Sequence, residues 1–274
     1  GSGTITLNGP SLGDQEIVID AGRKVVLGEN ASESSLGTDS GSTGGKVTVR
    51  EGGQFNANYL ETTAVNTAPR AELTHRKTFV IAGDGPDGRG AFINDALDGR
   101  TVHDTVWASV LRRVELSGDA TIGGVDRFDV RDRGGTTGTA TPGIYGPDKK
   151  LTIKTTGWFG LINHPIEVGS MLITDGGVFR PEGVGEAKFT IPGGITLDNG
   201  TLHCFSSAFP ADIAFIVEAG GGQFNAQSGN TTIKGPVTLK EGAALELAGS
   251  GTGYSVTYSG GMNVASGTVK TTGG

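Results

Sequence analysis

The sequence predicts an all-β protein built as a parallel β-solenoid, and three observations lead to this prediction. Glycine supplies 49 of the 274 residues. Because each glycine in a helix interior costs about 1 kcal/mol relative to alanine, the backbone is expected in strands and turns, where glycine is well tolerated. The second observation is the alternation of apolar and polar residues, which marks half-buried strands. The third is a short pattern that returns at nearly even intervals.

The repeated pattern places apolar residues five and three positions before a glycine and another three positions after it. Residues 47–55 and 237–245 both follow it. In the second half its glycines recur at nearly even intervals, at Gly157, Gly176, Gly200, Gly221, Gly242 and Gly267. A period of roughly 22 residues is too short for a strand–helix–strand unit of about 30 residues, but it accommodates three short strands and three turns. Stacked copies would pair at about 4.8 Å and share one core.

The apolar positions of this pattern are expected to form one continuous buried column. Every second side chain of a strand points to the same side of its sheet, so alternation identifies the inward residues. The predicted column contains Ile17, Ile19, Val25, Val47, Val49, Phe55, Met171, Ile173, Phe179, Val237, Leu239 and Leu245.

The first half of the chain is expected to carry longer connections between the same strands. Its corresponding glycines are more widely spaced than those of the second half, at Gly22, Gly52, Gly83, Gly118 and Gly157. The excess length predicts loop insertions at residues 28–45, 85–105 and 133–147. Any ligand site is expected in residues 83–158, since insertions on a regular stack create concave surfaces.

Residues 1–274 are assigned to a single domain, in which residues 1–3 are interpreted as an expression-vector remnant. The pattern is still present at Gly267, so we expect the stack to continue into the rest of a longer chain at its C-terminal end. The alternative fold is an antiparallel β-sandwich, which Asn199 and Gly200 suggest as a hairpin turn. Parallel pairing of residues about one repeat apart would exclude the sandwich.

Charge and cysteine content exclude several classes of function. The 29 acidic and 22 basic residues leave a formal charge of −7, which disfavours a nucleic-acid partner bound through its phosphates. Cys204 is the only cysteine, so an internal disulfide and a cysteine-based zinc site are excluded. No apolar run approaches the roughly 18 residues of a spanning helix, so this segment is not expected to insert into a membrane.

Residues 83–88 match the GxGxxG pattern after an apolar stretch, but no helix-forming sequence follows, as a dinucleotide site would require. Asp84, Asp87 and Asp95 could supply oxygen ligands for calcium, although their spacing matches no known calcium loop. We therefore interpret this segment as a turn. We expect no metal site and no cofactor.

The four histidines are scattered, at His75, His103, His164 and His203. None is paired at metal-ligand spacing, so each is interpreted as a surface or turn residue. Cys204 alternates with Leu202 in an apolar strand, and an inward thiol behaves as a small hydrophobic group. A core position is therefore expected for Cys204.

Several segments resemble the passenger regions of bacterial proteins that carry autotransporter-associated β-strand repeats. They are residues 81–85, 90–94, 116–124 and 126–131, with pieces similar to the repeat itself at 151–154 and 195–202. The resemblance covers about residues 75–270. It implies a right-handed β-helix, which at this length would have roughly nine to eleven coils, on a secreted or surface-anchored bacterial protein. It implies no catalytic residue.

The densest charge of the chain lies in residues 127–133, where Phe128 and Val130 are expected to point inwards. The charged residues between them would then form an outer row able to bind a hydroxyl-rich or acidic sugar through arginine. The alternative is a solvated ladder of ion pairs between coils. Tryptophan could add stacking platforms or pack beneath loops. The predicted ligand-binding residues are Trp107, Arg127, Asp129, Arg131 and Trp158.

Two functions remain open from the sequence. The first is a non-catalytic extracellular or cell-surface module, an adhesin or spacer whose partners are glycans or surface proteins and whose glycan binding is weak. The second is a polysaccharide lyase or glycoside hydrolase of the pectin-lyase-like β-helix type, an alternative that rests on analogy of fold. Two carboxylates facing one groove, roughly 5 to 9.5 Å apart, would favour the hydrolase.

Overall fold

The computed structural model describes residues 3–7, 16–28, 36, 45–57, 78–95, 110–111, 113–131, 141–249 and 253–272, with the backbone alone at Val110 and Arg131. Within these residues the chain forms strands β1 to β26 and one 3₁₀ helix, Glu186–Lys188, and no α-helix. The predicted all-β class is confirmed. None of the described segments is a helix that could span a lipid bilayer.

The strands of the described residues belong to three sheets. The first sheet has fifteen strands: β1 (Gly3–Leu7), β2 (Ile17–Ile19), β3 (Arg23–Leu27), β4 (Lys46–Val49), β5 (Gln54–Asn56), β6 (Thr78–Gly83), β7 (Phe92–Asn94), β9 (Arg113–Gly124), β11 (Ile144–Ile153), β13 (Ile166–Thr174), β15 (Phe189–Thr190), β16 (Ile195–Asp198), β19 (Phe215–Val217), β22 (Val237–Leu239) and β25 (Met262–Val264). The second has eight: β8 (Val110–Leu111), β10 (Arg127–Arg131), β12 (Trp158–Ile162), β14 (Val178–Glu182), β17 (Gly200–Phe205), β20 (Gly222–Ser228), β23 (Ala244–Gly249) and β26 (Thr268–Thr272). The third has three: β18 (Ala208–Phe209), β21 (Thr231–Ile233) and β24 (Val256–Tyr258).

Every strand pairing among the described residues is parallel. From β16 onwards the chain visits the first, second and third sheets in strict rotation. Asn199 joins β16 to β17, which belong to different sheets, so it marks a corner and not a hairpin. The antiparallel sandwich is therefore excluded for this part of the chain.

Register partners lie one repeat apart, as the glycine spacing predicts. In the first sheet, Ile195 pairs with Phe215, Phe215 with Val237, and Val237 with Met262, so successive strands of this sheet are separated by a nearly constant length of chain. Nearer the N-terminus Val47 pairs with Phe79, which is a clearly longer step. The longer N-terminal steps agree with the predicted insertions.

The predicted core column is confirmed at eleven of its twelve positions, which are buried, while Ile17 is half-buried and packs against the same core. Phenylalanine side chains run through this core as a connected series. From Phe55 to Phe179, neighbouring ring centroids are 5.0 to 6.2 Å apart. Such tilted and edge-on contacts add to the stabilisation from burial. Because Phe92 of the first sheet contacts Phe128 of the second, the apolar interior is continuous between the two sheets.

The two best copies of the repeated pattern form the same turn. The Gly53 N–H donates to the Arg50 carbonyl at 2.8 Å, and the Ala243 N–H donates to the Lys240 carbonyl at 3.0 Å. Gly52 and Gly242 occupy equivalent turn positions with φ of 77° and 74°, where a residue with a side chain would be strained. Gly200 was expected to be the turn glycine of its repeat. Instead Asn199, one residue earlier, adopts the left-handed conformation of this turn, with φ of 60°.

Two predicted loop boundaries need correction. Of residues 85–105 the structure describes 85–95, and Phe92–Asn94 is strand β7, which pairs with β5 and β9. A strand and not a helix follows the GxGxxG match, so the dinucleotide interpretation fails. The loop predicted at 133–147 ends earlier, because β11 begins at Ile144. The loop predicted at 28–45 lies outside the described residues except at residues 28, 36 and 45.

Candidate functional site

Strand β10 carries the predicted outer row. Phe128 and Val130 are buried in the core, with 1% and 0% of their surface exposed, so alternation places Arg127 and Asp129 on the opposite face of the second sheet. Arg131 is described by its backbone, which pairs with Ile162. Trp107 lies outside the described residues. The structure therefore brings together Arg127, Asp129 and Trp158 from the predicted set.

Arg127 and Asp129 form a two-point ion pair within one strand. Arg127 Nε donates to Asp129 Oδ1 at 3.1 Å, and Nη2 donates to Oδ2 at 2.7 Å. The side chains are only 16% and 6% exposed. Gly160, opposite Asp129 on β12, leaves the space that the carboxylate occupies, since a Cβ there would collide with it. The sequence alternatives were a solvated ladder between coils and a ligand-binding row; this pair lies within one strand and is largely enclosed.

Trp158 lies directly opposite Arg127 and is surrounded by cationic groups. The guanidinium of Arg127 lies 5.3 Å from the indole centroid and that of Arg180 lies 4.7 Å from it. His203 meets the indole edge-on, with 5.4 Å between ring centroids. These contacts hold the indole in place among the protein's own side chains, and the indole remains partly exposed.

Four residues of this group were missed by the sequence interpretation: Arg180, Glu182, His203 and Phe205. Arg180 Nη2 donates to Glu182 Oε2 at 3.4 Å, and the Arg180 guanidinium lies 5.0 Å from the Phe205 ring. We call these four, with Arg127, Asp129 and Trp158, the Trp158 cluster. The four missed residues occupy outward positions of β14 and β17. An alignment of the repeats strand by strand would have placed them near β10.

His203 occupies a buried position in the Trp158 cluster, with 8% of its surface exposed. Its Nε2 is buried without a hydrogen-bond partner. Burial and the neighbouring charge of Arg180 lower the pKa of His203 from 6.5 to about 4. The imidazole is therefore neutral near pH 7. His164 is also buried, with 4% exposed, so the prediction of a surface position was wrong for both. His164 does lie in the connection between β12 and β13, whereas His203 lies within β17. His75 and His103 lie outside the described residues.

The aspartates considered for calcium do not converge on one point. Asp87 accepts a hydrogen bond from Lys24 at 2.8 Å, and Asp84 accepts one from Thr121. Asp95 accepts hydrogen bonds from Nη1 and Nη2 of Arg89. Each carboxylate thus has its own partner on a different strand or turn. Nowhere in the described part of the chain do three or more His, Cys, Asp or Glu side chains form a group that could hold a metal ion.

Cys204 lies in the core with 1% of its surface exposed, as its alternation with Leu202 predicts. Burial raises the pKa of the Cys204 thiol to about 12. The thiol is therefore protonated and enclosed at neutral pH, which is the state of a structural and not a nucleophilic cysteine.

Comparison of the chain with models of protein families, with curated proteins and with solved structures finds no match. The candidate site is therefore defined by its own geometry.

Proposed function

We propose that the chain is a right-handed parallel β-helix. Three features support this assignment: the parallel pairing, the rotation of the chain among three sheets, and the path of eleven neighbouring strands through the first sheet. Eleven strands agree with the roughly nine to eleven coils expected from the sequence. The right-handed sense follows from the strong preference of connections between parallel strands. A crystal structure with left-handed connections would contradict this proposal.

The function that this geometry supports best is a rigid, non-catalytic module of a secreted or cell-surface bacterial protein, acting as an adhesin or spacer. The observation that carries the proposal is the unbroken ladder of parallel strands around a phenylalanine-rich core. Such a stack resists bending, because every strand is bonded to its neighbours along its length. It can therefore hold an outer face at a fixed distance from an anchoring point.

The Trp158 cluster is the proposed site of weak glycan binding on this module. Arg127 Nε and Nη2 donate hydrogen bonds to Asp129, whereas Arg127 Nη1 has no hydrogen-bond partner among the described residues. That nitrogen could donate to sugar hydroxyls. Asp129 and Glu182 each bond an arginine of their own strand, an arrangement that favours a binding role over a pair of catalytic carboxylates.

A glycan array tests this proposal by comparing the native chain with Trp158→Leu and with the control Tyr254→Leu. Tyr254 is 41% exposed and lies outside the cluster. We expect weak binding to a subset of glycans that Trp158→Leu abolishes and Tyr254→Leu preserves. Unchanged binding in Trp158→Leu would contradict the site. Hydrolysis or lyase activity on any polysaccharide would contradict the non-catalytic assignment.

A further inference from the structure

A second group of outward side chains crosses three strands of the first sheet. Glu115 on β9, Tyr145 on β11 and Glu167 on β13 are direct register partners. Their sequence neighbours Val114, Ile144 and Ile166 are buried in the core, so alternation places all three on the outer face. Neighbouring strands are about 4.8 Å apart. We call this group, with Arg113, the Tyr145 row.

Within the Tyr145 row, Arg113 is held by the protein itself. Its Nε donates to Glu115 Oε1 at 2.7 Å, and its Nη1 donates to the Pro142 carbonyl at 3.1 Å. Its guanidinium lies 5.4 Å from the Tyr145 ring centroid. Arg113 therefore neutralises Glu115 and supports the tyrosine ring, which remains 37% exposed.

Glu167 is the carboxylate of this row that lacks a cation. It makes no hydrogen bond or ion pair with any residue that the structure describes. Among the described residues the row consequently contains two carboxylates and one cation, and Glu167 lies directly beside an exposed aromatic ring. The whole chain, with a formal charge of −7, also attracts cations at longer range.

We propose that the Tyr145 row binds a saccharide through a primary ammonium group. An ammonium is attracted both by the face of a tyrosine ring and by a carboxylate that accepts its hydrogen bonds, and the row offers both on adjacent strands. A neutral sugar would gain hydrogen bonds from hydroxyls but not the charge attraction. The saccharide class rests on the proposed function, whereas the ammonium requirement follows from Tyr145 and Glu167.

The test is a titration of the full chain, followed by NMR, with a glucosamine oligomer and with its N-acetylated counterpart, which has no ammonium. We expect the glucosamine oligomer to bind with a millimolar dissociation constant and the acetylated oligomer to bind at least about 10-fold more weakly. Glu167→Gln and Tyr145→Leu should each weaken binding by about 5-fold or more. Glu241→Gln, which removes an exposed carboxylate in the turn between β22 and β23, should leave it unchanged.

The possible results separate this inference from the proposed function. Equal binding of both oligomers, or binding that Glu167→Gln does not weaken, overturns the ammonium site. Glycan binding that requires Trp158 but not Tyr145 also overturns it and leaves the proposed function standing. A lysine-rich peptide that binds through Tyr145 and Glu167 while the glucosamine oligomer does not would overturn the saccharide assignment. Binding of no saccharide at either site contradicts both proposals.

Discussion

Arg127 and Asp129 form an ion pair whose environment differs from that of a second pair with the same shortest N–O distance. Arg50 Nη1 also lies 2.7 Å from a carboxylate oxygen, Asp20 Oδ1. The side chains of Arg50 and Asp20 are 64% and 63% exposed, compared with 16% and 6% for Arg127 and Asp129. Water screens the exposed pair, which contributes about 0 to 1 kcal/mol. Removing one partner of the enclosed pair leaves a charge away from water, and that costs more.

We expect Asp129→Ala to lower the free energy of unfolding by about 2 to 3 kcal/mol, because Arg127 loses both hydrogen bonds in a largely enclosed position. Asp20→Ala, the control, should lower it by less than about 1 kcal/mol. Urea denaturation followed by circular dichroism measures both values. Equal losses in the two variants would show that burial of the Arg127–Asp129 pair does not determine its contribution.

His203 makes the stability of the molecule depend on pH. Its pKa is about 4 in the folded state against 6.5 in its ordinary environment, so the unfolded chain takes up this proton first as the pH falls. The stabilisation is complete above the ordinary pKa, declines as the pH falls towards the folded pKa, and is lost below it.

As the pH falls from about 7 to about 5, we expect His203 to lower the free energy of unfolding of the native chain by about 2 kcal/mol. His203→Gln keeps a polar side chain but cannot titrate, so its stability should fall less over the same interval. Urea denaturation at several pH values provides the comparison. Parallel pH profiles for the two proteins would refute the assignment to His203.

At the level of the strand and turn, the corner before β5 depends on close approach of the backbone. A Cβ on Gly53 would lie 2.7 Å from the Ile19 carbonyl oxygen and 3.1 Å from those of Asp20 and Arg50. These atoms belong to the backbone of the same turn and of the neighbouring turn, so they cannot move aside as a flexible side chain could. Absence of a side chain at Gly53 therefore allows the two turns to stack.

Gly53→Ala should destabilise the protein by about 2 to 3 kcal/mol, the cost of overpacking in a well-ordered region. Gly185→Ala is the matched control, since nothing lies within 4 Å of its Cβ position and its φ is −78°. That variant should be neutral or stabilised by about 0.5 kcal/mol. Thermal and urea unfolding measure both changes. A Gly53→Ala protein as stable as the control would contradict the close approach.

The long strands β9, β11 and β13 determine where the Tyr145 row lies. Each contains two segments joined at an irregularity: β11 pairs with β13 over Ile144–Gly146 and again from Lys150. The first segments align Glu115, Tyr145 and Glu167, and the second segments continue the buried column through Leu151 and Met171. The outward row and the core thus depend on the same register.

Along the described part of the molecule, the strands β11 to β14 in the middle contain buried residues, whereas the last strands contain none. In β24, β25 and β26, the end strands of their sheets, no residue is buried. Val264 occupies an inward register position opposite buried Leu239 and is nevertheless 43% exposed. A strand covered on one side has fewer contacts to lose when it opens locally.

Hydrogen exchange should therefore be slowest in β11 to β14 and about 100-fold faster or more in β24 to β26. The difference arises because central strands are bonded on both edges, whereas end strands are bonded on one. Mass spectrometry of peptides from residues 144–182 and 256–272 measures it. Uniform protection along the chain would instead indicate one cooperative unit without weaker ends.

The all-β class, the repeat interval and the inward residues can be predicted from the amino-acid sequence alone. These properties are local: alternation defines which side chains of a strand point inwards, and turns such as 50–53 and 240–243 carry their signal within a single short segment. This is why eleven of twelve predicted core residues are buried and why the parallel stacking could be predicted from spacing.

The contacts between outward side chains, in contrast, depend on how the strands align in the folded protein. Partners such as Tyr145 and Glu167 lie a full repeat apart in the sequence, and a connection longer or shorter by one residue would bring a different side chain to each position. Arg127, Asp129 and Trp158 were therefore predicted as site residues from the sequence, whereas Arg180 and His203 were not. Variable connections leave the register between strands undefined in one dimension, and packing of the whole core selects it.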